Sequence, residues 1–198
     1  MKKIIFNRLV ILGCCAALFT FASAMHTFGQ SNPTITTLPL RVIANQSVVP
    51  TGGTMLVRTP AGIFLTYNTA GLTPGTVATS WIAVFNTPAA CATNPCGMPD
   101  FSNPATHSAL INTGGKVVGA DGTATYGGFR AIGDTFGIFG GTFAGGVIFP
   151  MTAEIHMVVR THGVASTDPA VLTQQLTMLN GGCPPNTCAN LHISIHQQ

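Results

Sequence analysis

The sequence contains very few charged residues. Lys, Arg, Asp and Glu make up 7% of its 198 residues, and the formal net charge is +3. Three of the eight basic residues, Lys2, Lys3 and Arg8, lie in an N-terminal segment that we expect to be removed. Five basic and five acidic residues then remain, a net charge of 5 − 5 = 0. A neutral chain lacks the basic surface that binds nucleic acid or acidic lipid, so we expect no nucleic-acid partner.

The standard sequence signatures of enzymes are absent as well. No serine lies in a G-x-S-x-G motif, there is no H-E-x-x-H, and no glycine-rich stretch leads into the lysine of a phosphate-binding loop. Carboxylates are too few for a convincing glycosidase pair. These absences favour a protein that is not an enzyme.

Residues 1–24 have the pattern of a secretory signal peptide. A positive start is followed by the apolar stretch 9–21 and by the small residues 22–24, which fit a cleavage site. After cleavage we expect no stable transmembrane anchor and a periplasmic or secreted protein. A lipid anchor at Cys14 is the lesser alternative, because the apolar run before it is short. Residues 25–34 are expected to form a flexible leader, and 35–198 a single domain.

Four cysteines remain after removal of the signal, and an even number in an exported chain predicts two disulfides. They lie in two copies of one pattern, C-x-x-N-x-C, at Cys91–Cys96 and Cys183–Cys188. The repeat favours two local loops, each closed on itself, over a long-range connection. A loop this short contributes only about 2 kcal/mol to stability, so it shapes a loop more than it holds the fold together.

Short segments rich in Thr, Val and Ile, with turn residues about every ten positions, predict an all-β fold. We expect an antiparallel β-sandwich, Ig-like or related. Residues 77–86 look like a central strand, buried on both sides at its end. Ala120-Asp121-Gly122 predicts a hairpin, with Asp121 and Gly122 at positive φ. The predicted strands span residues 35–44, 54–58, 62–68, 77–86, 107–112, 115–119, 122–130, 153–162 and 190–196.

One short helix is predicted near residues 169–179. Asp168 can cap its first turn and Pro169 suits the first helical position. Leu172, Leu176 and Leu179 would form its apolar stripe, and Asn180-Gly181-Gly182 would end it.

The segment 136–149 is rich in Phe and Gly. Its glycine content argues against a helix and favours a long loop folded over a sheet edge. The other interpretation is a surface that docks a small ligand or a protein partner.

Two predicted strands carry most of the histidines. In residues 154–163, alternation places Glu154, His156, Arg160 and His162 on one face and the apolar residues on the other. In residues 191–196, His192 and His196 share a face that we expect to be polar. Glu154 is the only glutamate in the chain. We interpret these six residues as the candidate ligand-binding face.

A metal site on this face requires pairing between the two strands. His156 and His162 would lie about 20 Å apart along an extended strand, and His192 and His196 about 13 Å apart, so neither pair chelates by itself. An antiparallel register with His156 opposite His196 would bring two imidazoles within about 5 Å, with Glu154 nearby, as copper or zinc requires. The alternative is that these histidines are hydrogen-bonded structural groups and that Glu154 and Arg160 form a surface ion pair.

Several of these motifs together resemble a group of exported, largely uncharacterised bacterial β-sandwich proteins. The resemblance covers roughly residues 65–196 and implies no activity. More loosely, the Leu-Thr-Pro-Gly strand start and the late histidine-bearing strand resemble chordin-type repeat domains, which implies a β-sandwich and no more. The motifs that carry the first resemblance are Gly71-Leu72-Thr73-Pro74-Gly75, Trp81 to Pro88 with Cys91, Glu154 to Gly163, Gln175, Gly181-Gly182-Cys183 and a terminal strand ending in His196.

Three hypotheses for function follow from the sequence. The first is a non-enzymatic exported binding protein that uses the histidine, arginine and glutamate face. The second is a copper- or zinc-dependent redox or hydrolytic enzyme that uses the same histidines. The third is a structural or surface-interaction module that docks a partner through residues 136–149.

Overall fold

The structure is a computed structural model that describes residues 32–183 and 188–198. The predicted signal peptide, Cys14 and most of the predicted leader lie outside the described residues. The end of that leader is already ordered, since the first strand begins at Thr34. The described residues contain no helix with the length and apolar character needed to span a bilayer.

Within residues 32–183 and 188–198, eight strands and one short α-helix form the fold, which confirms the prediction of an antiparallel all-β protein. The predicted strands 107–112 and 115–119 are one continuous strand, because the chain stays extended through Gly114 and Gly115. The strands are β1 Thr34–Val42, β2 Val48–Thr59, β3 Gly62–Thr69, β4 Thr76–Phe85, β5 Ser108–Val117, β6 Ala124–Ala131, β7 Glu154–Val164 and β8 Ala189–His196; the helix is α1 Pro169–Thr177.

All eight strands belong to one antiparallel sheet in the order β5-β4-β7-β8-β1-β2-β3-β6. The sheet folds over its own core, so that β3 and β6 face β4 and β5. Tyr67 on β3 shares a hydrogen bond of 2.7 Å with Thr113 on β5, and Tyr126 on β6 donates to the Ala78 carbonyl on β4 at 2.9 Å. One apolar core therefore fills the space between the two halves of the sheet.

β4 is buried on both faces, as its sequence predicts. Its inward side chains, among them Ile82 and Val84, belong to the main core. Its outward side chain Phe85 packs in a second, smaller cluster with Cys96 and Phe101, under the segment that follows β4. This second layer covers part of the outer face of the sheet, which is where the candidate site lies.

The turn at Ala120-Asp121-Gly122 is not the predicted hairpin. β5 pairs only with β4 and β6 only with β3, so the turn connects the two ends of the folded sheet. Gly122 has the expected positive φ of 65° and lies against the Leu72 carbonyl. Asp121 does not have positive φ; its carboxylate accepts hydrogen bonds from the Thr123 amide and hydroxyl.

The helix begins where it was predicted, with the Asp168 side chain accepting a hydrogen bond from the Ala170 amide at 2.8 Å. Its buried residue is not one of the predicted leucines but Gln175. The Gln175 amide donates to the carbonyls of His162 and Val164, and its oxygen accepts from the Ser166 amide. The helix is thus attached to the end of β7 by polar contacts.

The Phe- and Gly-rich segment covers the free edge of β5, as the loop interpretation predicts. Three backbone hydrogen bonds join the segment to β5. The Asn112 backbone N–H donates to the Gly137 carbonyl at 2.8 Å. The backbone N–H groups of Phe139 and Phe143 donate to the carbonyls of Leu110 and Ser108, at 2.7 and 2.8 Å respectively. These bonds satisfy backbone groups that would otherwise form an open sheet edge.

Candidate functional site

The two faces of β7 are those predicted from its alternation. Ile155, Met157 and Val159 point into the main core. Glu154, His156, Arg160 and His162 lie on the outer face. They do not form an open surface, because Glu154, His156 and His162 are buried beneath the segment that follows β4 and beneath the turn after α1.

The two faces of β8 are the reverse of those expected. His192, Ser194 and His196 are buried inside the sheet, whereas Ile193 and Ile195 are only half-buried on the outside. Leu191 lies where the pairing of β7 with β8 shifts register, and it packs against the main core. The register of β7 with β8 pairs His196 with Ile155 and His192 with Val159. Directly opposite residues share a face of a sheet, so the two β8 histidines lie on the core side.

This register corrects the predicted metal site. His156 is opposite Ile195 rather than His196, and Arg160 is opposite Asn190 rather than His192. The imidazoles of His156 and His196 therefore lie on opposite faces of the sheet and cannot share an ion. The six residues expected on one face are divided between the outer face of β7 and the core.

The buried β8 histidines are hydrogen-bonded by threonines from distant strands. His196 Nε2 lies 2.9 Å from Thr54 Oγ1 and its Nδ1 lies 2.8 Å from Thr36 Oγ1. His192 Nδ1 lies 2.6 Å from Thr69 Oγ1. Burial lowers the pKa of both histidines, and for His196, near Arg58, to about 4. These histidines are therefore neutral structural groups at neutral pH.

Arg58 is a buried cation that the sequence does not reveal. Its guanidinium lies inside the sheet and donates to the carbonyls of Pro150, Ala153 and His196 at 2.8, 2.7 and 3.1 Å. Burial lowers its pKa. Arg58 ties the start of β7 to the end of β8, because all three carbonyls lie at that end of the sheet.

Glu154 and His156 form a buried pair at the same end of the sheet, on its outer face. Glu154 Oε1 lies 2.6 Å from His156 Nε2 and accepts from the Cys96 amide at 2.8 Å, and its Oε2 accepts from the Gln197 side chain at 2.9 Å. Burial lowers the pKa of His156, and the hydrogen bond to Glu154 offsets part of that effect. A neutral imidazole that donates from Nε2 leaves the pair with the negative charge of the carboxylate.

A cleft of about 420 Å³ opens beside Glu154. Its walls are the Cys91–Cys96 loop and the C-terminal residues Gln197 and Gln198. The loop is held in shape by Asp100, whose carboxylate accepts from the amides of Ala92 and Gly97, both at 2.7 Å. These two bonds lower the pKa of Asp100. The cleft is therefore a polar cavity with a carboxylate at its base.

Arg160 and His162 occupy the other end of the outer face of β7. Arg160 donates to the Leu179 carbonyl and to the side chains of Asn180 and Asn190. His162 is fully buried, with its Nε2 2.8 Å from Thr79 Oγ1 and its Nδ1 3.1 Å from the Gly181 carbonyl. No carboxylate forms an ion pair with Arg160 in the described part of the chain, so the predicted Glu154–Arg160 pair does not form.

Both predicted disulfides are local, with Cα–Cα distances of 5.4 Å for Cys91–Cys96 and 5.6 Å for Cys183–Cys188. Each lies at one end of the outer face of β7. The first contacts Glu154 through the Cys96 amide, and the second places both sulfur atoms against His162. The repeated sequence motif thus corresponds to a repeated placement, one disulfide at each end of this face: the first beside Glu154 and the second beside His162.

Comparison of the chain with protein-family models, with curated proteins and with solved structures finds no match.

Proposed function

We propose that this is an exported, non-enzymatic binding protein whose ligand site is the cleft beside Glu154. The proposal rests on one observation: the buried Glu154 carboxylate lies at the base of a polar cleft, and no Lys or Arg in the described residues pairs with it. The cleft volume falls in the usual range for small-molecule sites. The paired cysteines and the predicted signal peptide support export.

The chemistry of the cleft favours a ligand that carries an ammonium or another cationic donor. Because His156 is neutral, the carboxylate contributes an uncompensated negative charge. Gln197 occupies its second oxygen through a neutral amide that a charged donor can replace. Charge-assisted hydrogen bonds of this kind are about twice as strong as neutral ones.

Binding is favoured over catalysis by the state of the potential nucleophiles. The cysteines that line the cleft are paired with each other, and the Thr93 hydroxyl donates to the Pro95 carbonyl at 2.9 Å. A base such as His156 therefore has no free hydroxyl or thiol to activate among the described residues of the cleft.

The first prediction concerns the charge of Glu154. Propylammonium should shift the amide resonances of Cys96 and Ala92 saturably, whereas uncharged propan-1-ol should not. The E154Q variant, which keeps the shape of the side chain, should bind the ammonium about tenfold more weakly or worse. Nuclear magnetic resonance titration measures both effects.

D121N is the matched control, because it removes one negative charge from an exposed turn away from the cleft. It should bind propylammonium as the wild-type protein does. Equal affinity in E154Q and D121N, or no saturable shift in the wild-type protein, would refute the proposed site.

A surface-interaction module is the second candidate, and exposed aromatic side chains favour it. Phe136 is 76% exposed and Phe149 is 49% exposed, on the segment that covers the β5 edge. If a second copy of the chain binds there, F136S should weaken self-association in sedimentation experiments without loss of stability. Association unchanged in F136S would exclude this face as the contact.

A further inference from the structure

The Cys183–Cys188 pair lies against the imidazole of His162. His162 Nδ1 is 3.4 Å from Cys183 Sγ and 3.3 Å from Cys188 Sγ. One nitrogen and two sulfur atoms all lie within 4.8 Å of one another. The other cysteine pair has the same spacing in sequence but an Asp100 carboxylate as its neighbour instead of an imidazole.

The His162 ring is held at both of its nitrogens: in the disulfide form Nδ1 donates to the Gly181 carbonyl at 3.1 Å, and a second bond holds the ring from its far side. Its Nε2 shares a hydrogen bond of 2.8 Å with Thr79 Oγ1, which in turn accepts from the Trp81 indole at 2.9 Å. Metal-binding histidines are oriented in this manner, by a partner on the nitrogen that does not bind the ion. Thr79 and Trp81 lie on β4, so the rigid part of the sheet sets the direction of Nδ1.

The surroundings favour a negatively charged complex. Arg160 lies two residues before His162 on the same face of β7, and in the described residues no carboxylate neutralises it. A positive charge that no carboxylate neutralises favours the thiolate form of cysteines near it.

Solvent can reach this cluster. Both cysteines are only half-buried. The turn that leads to Cys183, Asn180-Gly181-Gly182, lines an open cleft of about 590 Å³ between α1 and the segment over the β5 edge. Neither cysteine lines that cleft, so an ion or a small reductant reaches the sulfur atoms through the partial exposure of the two cysteines themselves.

We propose that His162, Cys183 and Cys188 bind monovalent copper when the Cys183–Cys188 disulfide is reduced. Two thiolates and one imidazole suit this soft ion, whereas structural Zn²⁺ takes four ligands. This site is separate from the cleft at Glu154 and does not depend on the function proposed for it.

The chemistry balances in two steps. A phosphine reductant supplies two electrons, the S–S bond breaks, and water provides the oxygen of the phosphine oxide and the two thiol protons. When Cu⁺ binds, both thiol protons leave to solvent. In the disulfide form the imidazole proton lies on Nδ1, because Nδ1 donates to the Gly181 carbonyl at 3.1 Å. When Cu⁺ binds, exchange with solvent moves this proton to Nε2, where it donates to Thr79 Oγ1, and Nδ1 offers its lone pair to the ion.

The test is an anaerobic titration of the phosphine-reduced protein with Cu⁺, in competition with a chromophoric Cu⁺ chelator. The protein is purified from an exported fraction and carries no polyhistidine tag. The wild-type protein and C91S/C96S should each bind one Cu⁺ tightly, and C183S/C188S should lose that binding. H162Q should bind at least about tenfold more weakly. H192Q is the control for loss of a buried histidine, because His192 lies on the core side of β8, and it should bind normally.

X-ray absorption of the copper-loaded wild-type protein provides a measurement that does not depend on the folding of any variant. It should show two sulfur neighbours and one imidazole nitrogen. Tight binding that persists in C183S/C188S, or a copper environment without imidazole, would overturn the proposal.

Discussion

At the scale of single residues, the Thr54 hydroxyl lies within hydrogen-bonding distance of three polar groups inside the sheet. Its hydroxyl lies 2.9 Å from His196 Nε2, 2.9 Å from Ser194 Oγ and 3.1 Å from the Leu38 carbonyl. A buried polar atom that loses its partner costs about 1–3 kcal/mol, more than the hydrogen bond itself contributes. The interior of β8 tolerates histidine only because β1, β2 and β3 supply such hydroxyls.

T54V should therefore lower the free energy of unfolding by about 1–3 kcal/mol, because the shape is kept and the hydroxyl is lost. Urea denaturation measures the change. T37V is the matched control, since Thr37 is exposed on β1 and its replacement should change stability by less than about 0.5 kcal/mol. A similar effect in both variants would contradict the importance of the Thr54 hydroxyl.

At the scale of elements, the contact between α1 and β5 depends on a glycine. A Cβ at Gly115 would collide with the backbone of Leu176 on the helix. The helix can approach β5 this closely only where the strand has no side chain. The position of α1 also sets one wall of the cleft near His162.

G115A should push α1 away from the sheet and cost about 1–3 kcal/mol, as overpacking does. Hydrogen exchange should show faster exchange of the α1 amides. G53A on β2 is the control, because a Cβ there would meet nothing closer than the Leu38 carbonyl at 3.7 Å. If the α1 amides remain as protected in G115A as in G53A, this account of the contact is wrong.

At the scale of the whole molecule, burial lowers the pKa of four histidines, His156, His162, His192 and His196. Above their unfolded pKa near 6.5 these groups are neutral in both states, and the folded state keeps its full stability. Below about pH 6.5, the histidines of the unfolded chain bind protons, whereas the same histidines in the folded chain stay unprotonated. Stability must therefore decline as the pH falls through 6.5 towards 4, where His196 finally titrates in the folded state.

We expect the free energy of unfolding, measured in urea from about pH 7.5 to about pH 4.5, to fall steadily below about pH 6.5. His196 alone should account for roughly 2 kcal/mol of that loss. H196Q should be less stable at neutral pH but should show a shallower acid decline. The lowered pKa of Asp100 also contributes to the free energy of unfolding, but this contribution is lost only as the pH falls below 3.8, the ordinary pKa of an aspartate. The histidine and aspartate effects therefore occupy separate pH ranges. An unchanged slope in H196Q would contradict this assignment.

The sequence by itself determined the features that depend on neighbouring residues. Alternation defined the two faces of β7 and the double burial of β4, the Asp168-Pro169 pair located the start of α1, and the repeated cysteine spacing indicated local disulfides. Each of these is set by backbone geometry within a few residues. Most of the strands were therefore predictable, but β2 begins at Val48, well before the predicted 54–58, and β5 was predicted as two strands.

Only the tertiary structure decided which face of β8 is inside, which strands pair and where Arg58 lies. Alternation shows that a strand has two faces but not which of them meets the core. His192 and His196 face inward because Thr36, Thr54 and Thr69, more than a hundred residues earlier in the chain, satisfy their ring nitrogens there. A register shift of one residue moves every side chain to the other face. The observed register turns His196 inward, so the predicted His156–His196 site does not form. The histidine that lies close to two cysteine sulfur atoms is His162, beside Cys183 and Cys188.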